Sequence, residues 1–342
     1  MARSMKPITT AASPVSDPDL ERAQKYAETV MLLSEASVHK HFDPYMDIDW
    51  DNPDFAVDAG PERWILPPSA DPMGRHPWYQ SLPIEQKIAI GKYRYAQVLK
   101  VGLQFECILI SGMTLYNFRL PIGSPEFRYC SHEMIEEHNH NLMFYEMINR
   151  IGMDVPGIAR FYSKLRSLGA ILGAYFPNLF FLFVIGGEEP IDNMQKKTLR
   201  SGDAMHPMTR GVVAIHVAEE ARHISFAHEY MRNRVPRLNV VHRFVLSLIA
   251  PICLMLVGRM LTTPPRAFFA QFHVPYRVRR NLYYHSPDAR NTFRGYFDDV
   301  RTLAGDIGLM NPVAKAIWKL LRIYGPPARY RSEPSRTANM AA

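Results

Sequence analysis

Two segments of the chain repeat one pattern of metal-binding residue types. EEHNHNLMFYE carries Glu136, Glu137, His140 and Glu146, and EEARHISFAHE carries Glu219, Glu220, His223 and Glu229, each member offset by 83 positions from its counterpart. At about 100° per residue, a Glu and a His three apart leave one face of an α-helix, so Glu137 with His140 and Glu220 with His223 can each address a metal ion. A single Glu-x-x-His spacing arises by chance, and its ordinary reading is a solvated acid beside a surface histidine. Two copies inside long, otherwise apolar segments read differently, because carboxylates on a buried face are costly without a cation.

A helical bundle built on two Glu-x-x-His helices takes one further Glu from each of two other helices. Those donors should precede the motif helices. Glu106, in GLQFECILISG, is the only acid between Gln86 and Pro121 and stands in an apolar run. The other donor is Glu189 or Glu188. Glu189 to Glu220 spans 31 residues, as does Glu106 to Glu137, which favours Glu189 and leaves Glu188 as the alternative. Pro190 disfavours helical geometry in the residue before it, so a break in the helix is expected at Glu189. His216 lies four before Glu220 and seven before His223 on the same face. As a ligand it would give one metal more nitrogen than the other; its ordinary reading is a core histidine bonded to a neighbour. Its counterpart in the first motif is Glu133. Glu133, Glu136 and Glu219 read as acids outside the ligand set or on the surface, with Glu133 in phase to approach the site.

Helices must position these groups. Segments of helical periodicity alternate with short breaker clusters, and no alternating run with hairpin turns argues for a sheet, so the expected fold is all-α. Helices are expected from 17 or 19 to about 39, from about 83 to 116, 125 to 152, 158 to 185, 205 to 234, 240 to 261, 287 to 304 and 312 to 324. Residues 43–83, rich in Pro, Asp and Trp, read as a long loop packed on the surface. Residues 1–18 read as a flexible N-terminal arm and 326–342 as a flexible tail, around a single helical domain at 19–325.

Composition narrows the class. The 342-residue chain is 47% hydrophobic and 21% charged, unlike disordered, collagen-like or coiled-coil sequences. Three cysteines, Cys107, Cys130 and Cys253, cannot all pair within one chain, which argues against a secreted disulfide framework and for a reducing cytoplasm. The net charge of +7 is spread along the chain, and its densest run, Arg277 to Arg280, reads as a solvated helix face or loop. No nucleic-acid motif is present. The amino terminus has Arg3 and Lys6 but no apolar signal core. Two uncharged stretches, 167–187 and 244–258, raise the membrane alternative. The second is short, and the first is interrupted by Pro177 and Asn178 and followed by Glu188 and Glu189, so buried helices are expected and no transmembrane anchor.

With Glu106, Glu137, His140, Glu189, His216, Glu220 and His223 in that order, the sequence resembles the p-aminobenzoate N-oxygenase family of ferritin-like diiron oxygenases. The motifs cover roughly residues 85–235. The resemblance implies a ferritin-like helical bundle with additional helices, and two iron ions held by four carboxylates and three histidines. His216 then matches the extra histidine that separates this family from desaturases and simple ferritins. It further implies that O2 is activated between the irons to oxidise a small aromatic amine stepwise, through hydroxylamine toward nitroso or nitro. Phe105, Leu109, Phe144 and Leu142 stand where a substrate could lie, and read more simply as core.

The chain has no G-x-G-x-x-G fingerprint and no cysteine cluster for an iron-sulfur centre, so reducing equivalents must come from outside. An external electron donor, a ferredoxin-like protein or a flavin reductase, is expected, and the positive net charge would favour an acidic one. A homodimer is compatible with this reading. Two alternatives remain: a hydroxylase or desaturase of an aliphatic or carrier-bound substrate, and a non-catalytic iron-binding or ferroxidase bundle. The hundred or so residues after Pro236 and the long loop before Glu85 are surplus to the second.

Overall fold

In the computed structural model, residues 18–159, 163, 164, 166–329 and 331 are described. The expected arm at 1–17 and the tail from 332 onward lie outside them. The helices are α1 (Pro18–His39), α2 (Pro77–Gln80), α3 (Ile84–Asn117), α4 (Pro125–Ile151), α5 (Leu168–Tyr175), α6 (Pro177–Arg200), α7 (Pro207–Arg234), α8 (Val240–Thr262), α9 (Arg266–Gln271), α10 (Tyr276–Arg280), α11 (Pro287–Gly295), α12 (Asp298–Asp306) and α13 (Pro312–Leu320). Among the described residues there is no strand. Helices α3, α4, α6 and α7 pack as the central bundle, with α1 against α4 and α7, α5 against α3, and α8 against α6.

Local chemistry sets the ends of the motif helices. Ser124 Oγ accepts from Phe127 N at 3.2 Å, Pro125 takes the first helical position, and Gly152, at φ 70°, closes α4 in the left-handed region. Pro207 likewise opens α7 behind His206, whose Nδ1 accepts from Met208 N at 3.3 Å.

Three expectations are corrected here. The helix expected at 158–185 is instead α5 and α6, separated at Phe176 (φ −131°, ψ 60°). Pro177 acts as a helix starter rather than an interruption, because its missing N–H is one a first turn leaves unpaired anyway. The break expected at Glu189 does not occur either: α6 continues through Pro190 to Arg200. Tertiary packing overrides the local preference, since α6 is held between α3 and α8, and Gly186 and Gly187 let both neighbours approach. Residues 43–83 do more than cover the surface. Trp64, Met73 and Tyr79 are fully buried, Trp64 stacks on His206 with ring centroids 4.1 Å apart, and its indole donates to Val57 O at 2.8 Å. Large aromatic surfaces of this size supply their own reason to dock.

The first residues of the expected tail are tied down: Arg301 Nε donates to Pro326 O at 3.1 Å and Ala328 N to Asp298 O at 3.3 Å. Two helical stretches, Ile84–Asn117 and Val240–Gln271, are long and apolar enough to cross a membrane by length and composition. The first is a bundle helix that carries Glu106 inward. The second has an outer face with Val241, Val245, Ile249, Ile252 and Leu256 exposed.

Candidate metal centre

Four helices bring acids and imidazoles to the middle of the bundle: α3 supplies Glu106; α4 supplies Glu133, Glu136, Glu137 and His140; α6 supplies Glu188; α7 supplies His216, Glu219, Glu220 and His223. None of these side chains is more than 2% exposed. Two overlapping groups have metal-ligand spacing, Glu137–His140–Glu220–His223 and Glu106–His140–His216. Glu137 spans the two motif histidines, with Oε2 3.3 Å from His140 Nδ1 and Oε1 3.0 Å from His223 Nδ1. His216 Nε2 lies 3.3 Å from Glu106 Oε1 and 3.4 Å from Glu220 Oε1. Six of the seven residues singled out for metal binding therefore meet in one place.

The seventh does not. Glu189 Oε1 accepts from His228 Nε2 at 2.7 Å, while the neighbouring Glu188 is the acid that interacts with Glu220 and Glu137. The choice of Glu189 is corrected to Glu188. One residue is about 100° around a helix, so an unbroken α6 can turn only one of the two acids toward the cluster. The equal 31-residue intervals carried no such information, because connections between helices change length independently of the helices.

A set of outer contacts fixes the histidines. His140 donates Nε2–H to Glu219 Oε2 at 2.9 Å, and His223 donates Nε2–H to Glu136 Oε2 at 2.8 Å; a carboxylate only accepts, which places the proton on Nε2 and leaves Nδ1 facing inward. Each histidine is thus held by an acid from the opposite motif helix. Arg222 Nη2 sits between the two acids, 2.9 Å from Glu136 Oε1 and 3.4 Å from Glu219 Oε1. Phe42 N also donates to Glu219 Oε1 at 3.2 Å, and Asn139 Nδ2 donates to Phe42 O at 3.1 Å. Glu136 and Glu219, read as acids outside the ligand set, occupy that position. The sequence reading did not single out Arg222, Asn139 or His228. A signal existed for the first two, which are counterparts under the 83-residue offset, each next to its Glu-Glu pair.

Among the described residues, seven buried carboxylates crowd this centre (Glu106, Glu133, Glu136, Glu137, Glu188, Glu219, Glu220), and Arg222 is the one arginine or lysine ion-paired to them. Burial pushes Glu106 and Glu188 well above the usual carboxylate range and Glu133 to about 8. Burial also pushes His216 down to about 4, so its imidazole is neutral near pH 7. Against the same desolvation, Glu137 and Glu219 hold His140 in its charged form, and Glu220 and Glu137 do so for His223. Several inward atoms have no hydrogen-bond partner: Glu106 Oε2, Glu137 Oε1, both oxygens of Glu220, and Nδ1 of His216 and His223. Orphaned buried acceptors are expensive. Divalent cations remove the penalty at once, and a mixed carboxylate-imidazole donor set suits iron or a similar first-row metal. The residues fit a dimetal centre.

An all-helical bundle with a buried, doubled Glu-x-x-His cluster defines the class of carboxylate-bridged dimetal proteins. Residues 23–308 match the family of p-aminobenzoate N-oxygenase AurF, and the chain belongs to that family. Similar proteins include an uncharacterized protein of Mycobacterium bovis and two of Mycobacterium tuberculosis, each 49% identical over 324 residues that cover 95% of this chain and 95% of the relative. Family and site together mark the chain as a metal-binding protein of the diiron oxygenase kind.

Proposed function

We propose that this protein is a non-haem diiron oxygenase that uses O2 to oxidise a small organic substrate, an amine nitrogen in the first instance. The observation that carries the reading is the convergence of unpartnered carboxylate and imidazole atoms on one buried point between four helices. Glu106, Glu137, His140, Glu188, His216, Glu220 and His223 would hold two iron ions, which when bound supply the electrons that reduce O2 and the oxidising power turned on the substrate. The chain's own part is positional. Glu136 and Glu219, steadied by Arg222, fix the ring planes of His223 and His140 and keep Nδ1 inward. Glu137 ties the two histidines to one carboxylate. Phe144, stacked 5.0 Å from His216, and Phe105 beside Glu106 keep water from the cluster. The amine is preferred to a C–H bond because of the family's name alone.

The wider reading follows from the same premises. Three free cysteines fit a reducing cytoplasm. Reducing equivalents come from a separate ferredoxin-like or flavin-containing donor, no nucleic acid is bound, and α3 and α8 are helices of a soluble protein rather than membrane anchors. The test is anaerobic ferrous loading followed by metal analysis and a single exposure to O2 with arylamines or aliphatic substrates present. Two irons per chain and a hydroxylamine or further oxidised arylamine are expected. One iron or none per folded chain would remove the reading, and oxidation confined to C–H bonds would replace the amine by an aliphatic substrate.

A further inference from the structure

Outside the metal centre, α3, α8 and the segment after α8 enclose a cavity of about 440 Å³. Its wall contains Arg259, Arg266 and Arg279 and no aspartate or glutamate. Two of these guanidinium groups are held by rings: Arg259 lies 3.6 Å from the Phe293 centroid and Arg279 lies 4.8 Å from that of Phe269. Stacked guanidinium groups keep their donor edges ordered and available, which suits carboxylate or phosphate oxygens. Met255 and Met260 line the same cavity and offer adaptable apolar surface.

The cavity also points inward. Val101 belongs both to it and to a narrow space of about 20 Å³ that Phe144 and Gln195 line as well. Phe144 is the ring stacked on His216, and Gln195 is two turns beyond Glu188 on α6. Along α3, Val101 is five residues from Glu106, about 7.5 Å of helix. A positively charged mouth, an apolar neck and the metal centre thus follow one another.

We propose that the arginine-lined cavity binds the anionic headgroup of an amphiphilic substrate, whose apolar part passes Val101 and Phe144 toward the centre. The inference deepens the oxygenase reading and rests on it for the fate of the apolar end. Charge complementarity selects the headgroup: an anion meets three cations there and no competing acid, whereas an ammonium group is repelled. The apolar neck favours a slim, extended body over a bulky one.

Binding to the metal-free full-length chain tests this without any turnover. Octanoate, octyl phosphate, octanol and octylammonium are titrated by calorimetry. Both anions should bind saturably, more weakly as salt rises, and at least tenfold tighter than octanol or octylammonium; butanoate should bind more weakly than octanoate. A preference between the two anions identifies the head as a carboxylate or a phosphate ester. The Arg266→Glu/Arg279→Glu double variant, altered only at the partly exposed rim, should lose at least tenfold in anion affinity with its helical circular dichroism unchanged. Arg277→Glu, an exposed neighbour that does not line the cavity, should retain it. Equal binding of all four probes, or equal loss in the Arg277 control, would overturn the proposal. Should the loaded protein fail to oxidise anything, these binding results stand unaffected, so the two failures are told apart.

Discussion

Each histidine of the centre assigns its two nitrogens different tasks, and single substitutions should separate them. Glu136→Gln leaves the inner ligands intact but weakens the grip on His223 Nε2, so metal affinity should fall 10- to 100-fold with the helical fold retained; equal affinity in a competition titration would show the contact to be idle. Glu188→Ala should lower the metal stoichiometry, whereas Glu189→Ala, which removes a partner of His228, should leave it unchanged. The reverse outcome would restore Glu189 as the ligand. Loading should also depend on pH. Burial keeps protons on Glu106 and Glu188, and neighbouring carboxylates keep them on His140 and His223. A dication must displace those protons, so affinity should rise from pH 6 to pH 8 with measurable proton release; a flat profile would contradict this. At this scale, residue type and phase made Glu106, Glu137, His140, His216, Glu220 and His223 legible in the sequence. The Glu188–Glu189 choice was not, because it depends on the rotation of α6, which its contacts with α3 and α8 set.

The helices owe their placement to where glycine lets them approach. A Cβ at Gly187 would overlap the Phe105 ring, one residue from Glu106 on α3 and from Glu188 on α6. Gly187→Ala should therefore displace Phe105, cost about 1–3 kcal/mol in denaturant unfolding, and lower metal occupancy as well. Adding Phe105→Leu should recover part of both losses, and no recovery would mean that the strain lies elsewhere. At Gly173 an added Cβ would meet the backbone of Gly112, which has no side chain to move aside, so alanine there should be the more damaging. Caps and prolines made most helix starts readable, as at Ser124–Pro125. Pro177 and Pro190 show the limit of that method: one begins a helix and the other lies inside it, and only the packing around α6 distinguishes them. The docking of Trp64 against His206 is hidden for a similar reason, since the two residues are distant in sequence.

For the molecule as a whole, the metal-free centre opposes folding, since seven carboxylates must be buried or protonated. Metal binds the folded chain alone, and at a hundredfold excess over Kd it adds about 2.7 kcal/mol, so anaerobic ferrous iron should raise Tm by several degrees and a chelator should reverse it; an unchanged Tm would show that metal does not bind in the folded core. The all-helical architecture could be read from periodicity alone, while the tie between the two motif halves could not. That tie has a consequence for how substitutions combine. Because Glu136 on α4 holds His223 on α7, and Glu219 on α7 holds His140 on α4, changes should be coupled across the helices and nearly independent along them. In a double-mutant cycle, Glu136→Gln should be strongly non-additive with His223→Ala and close to additive with His140→Ala. Neither half can drift in sequence on its own: each motif helix carries half of the other's site, so the two copies of the repeat are bound to change together.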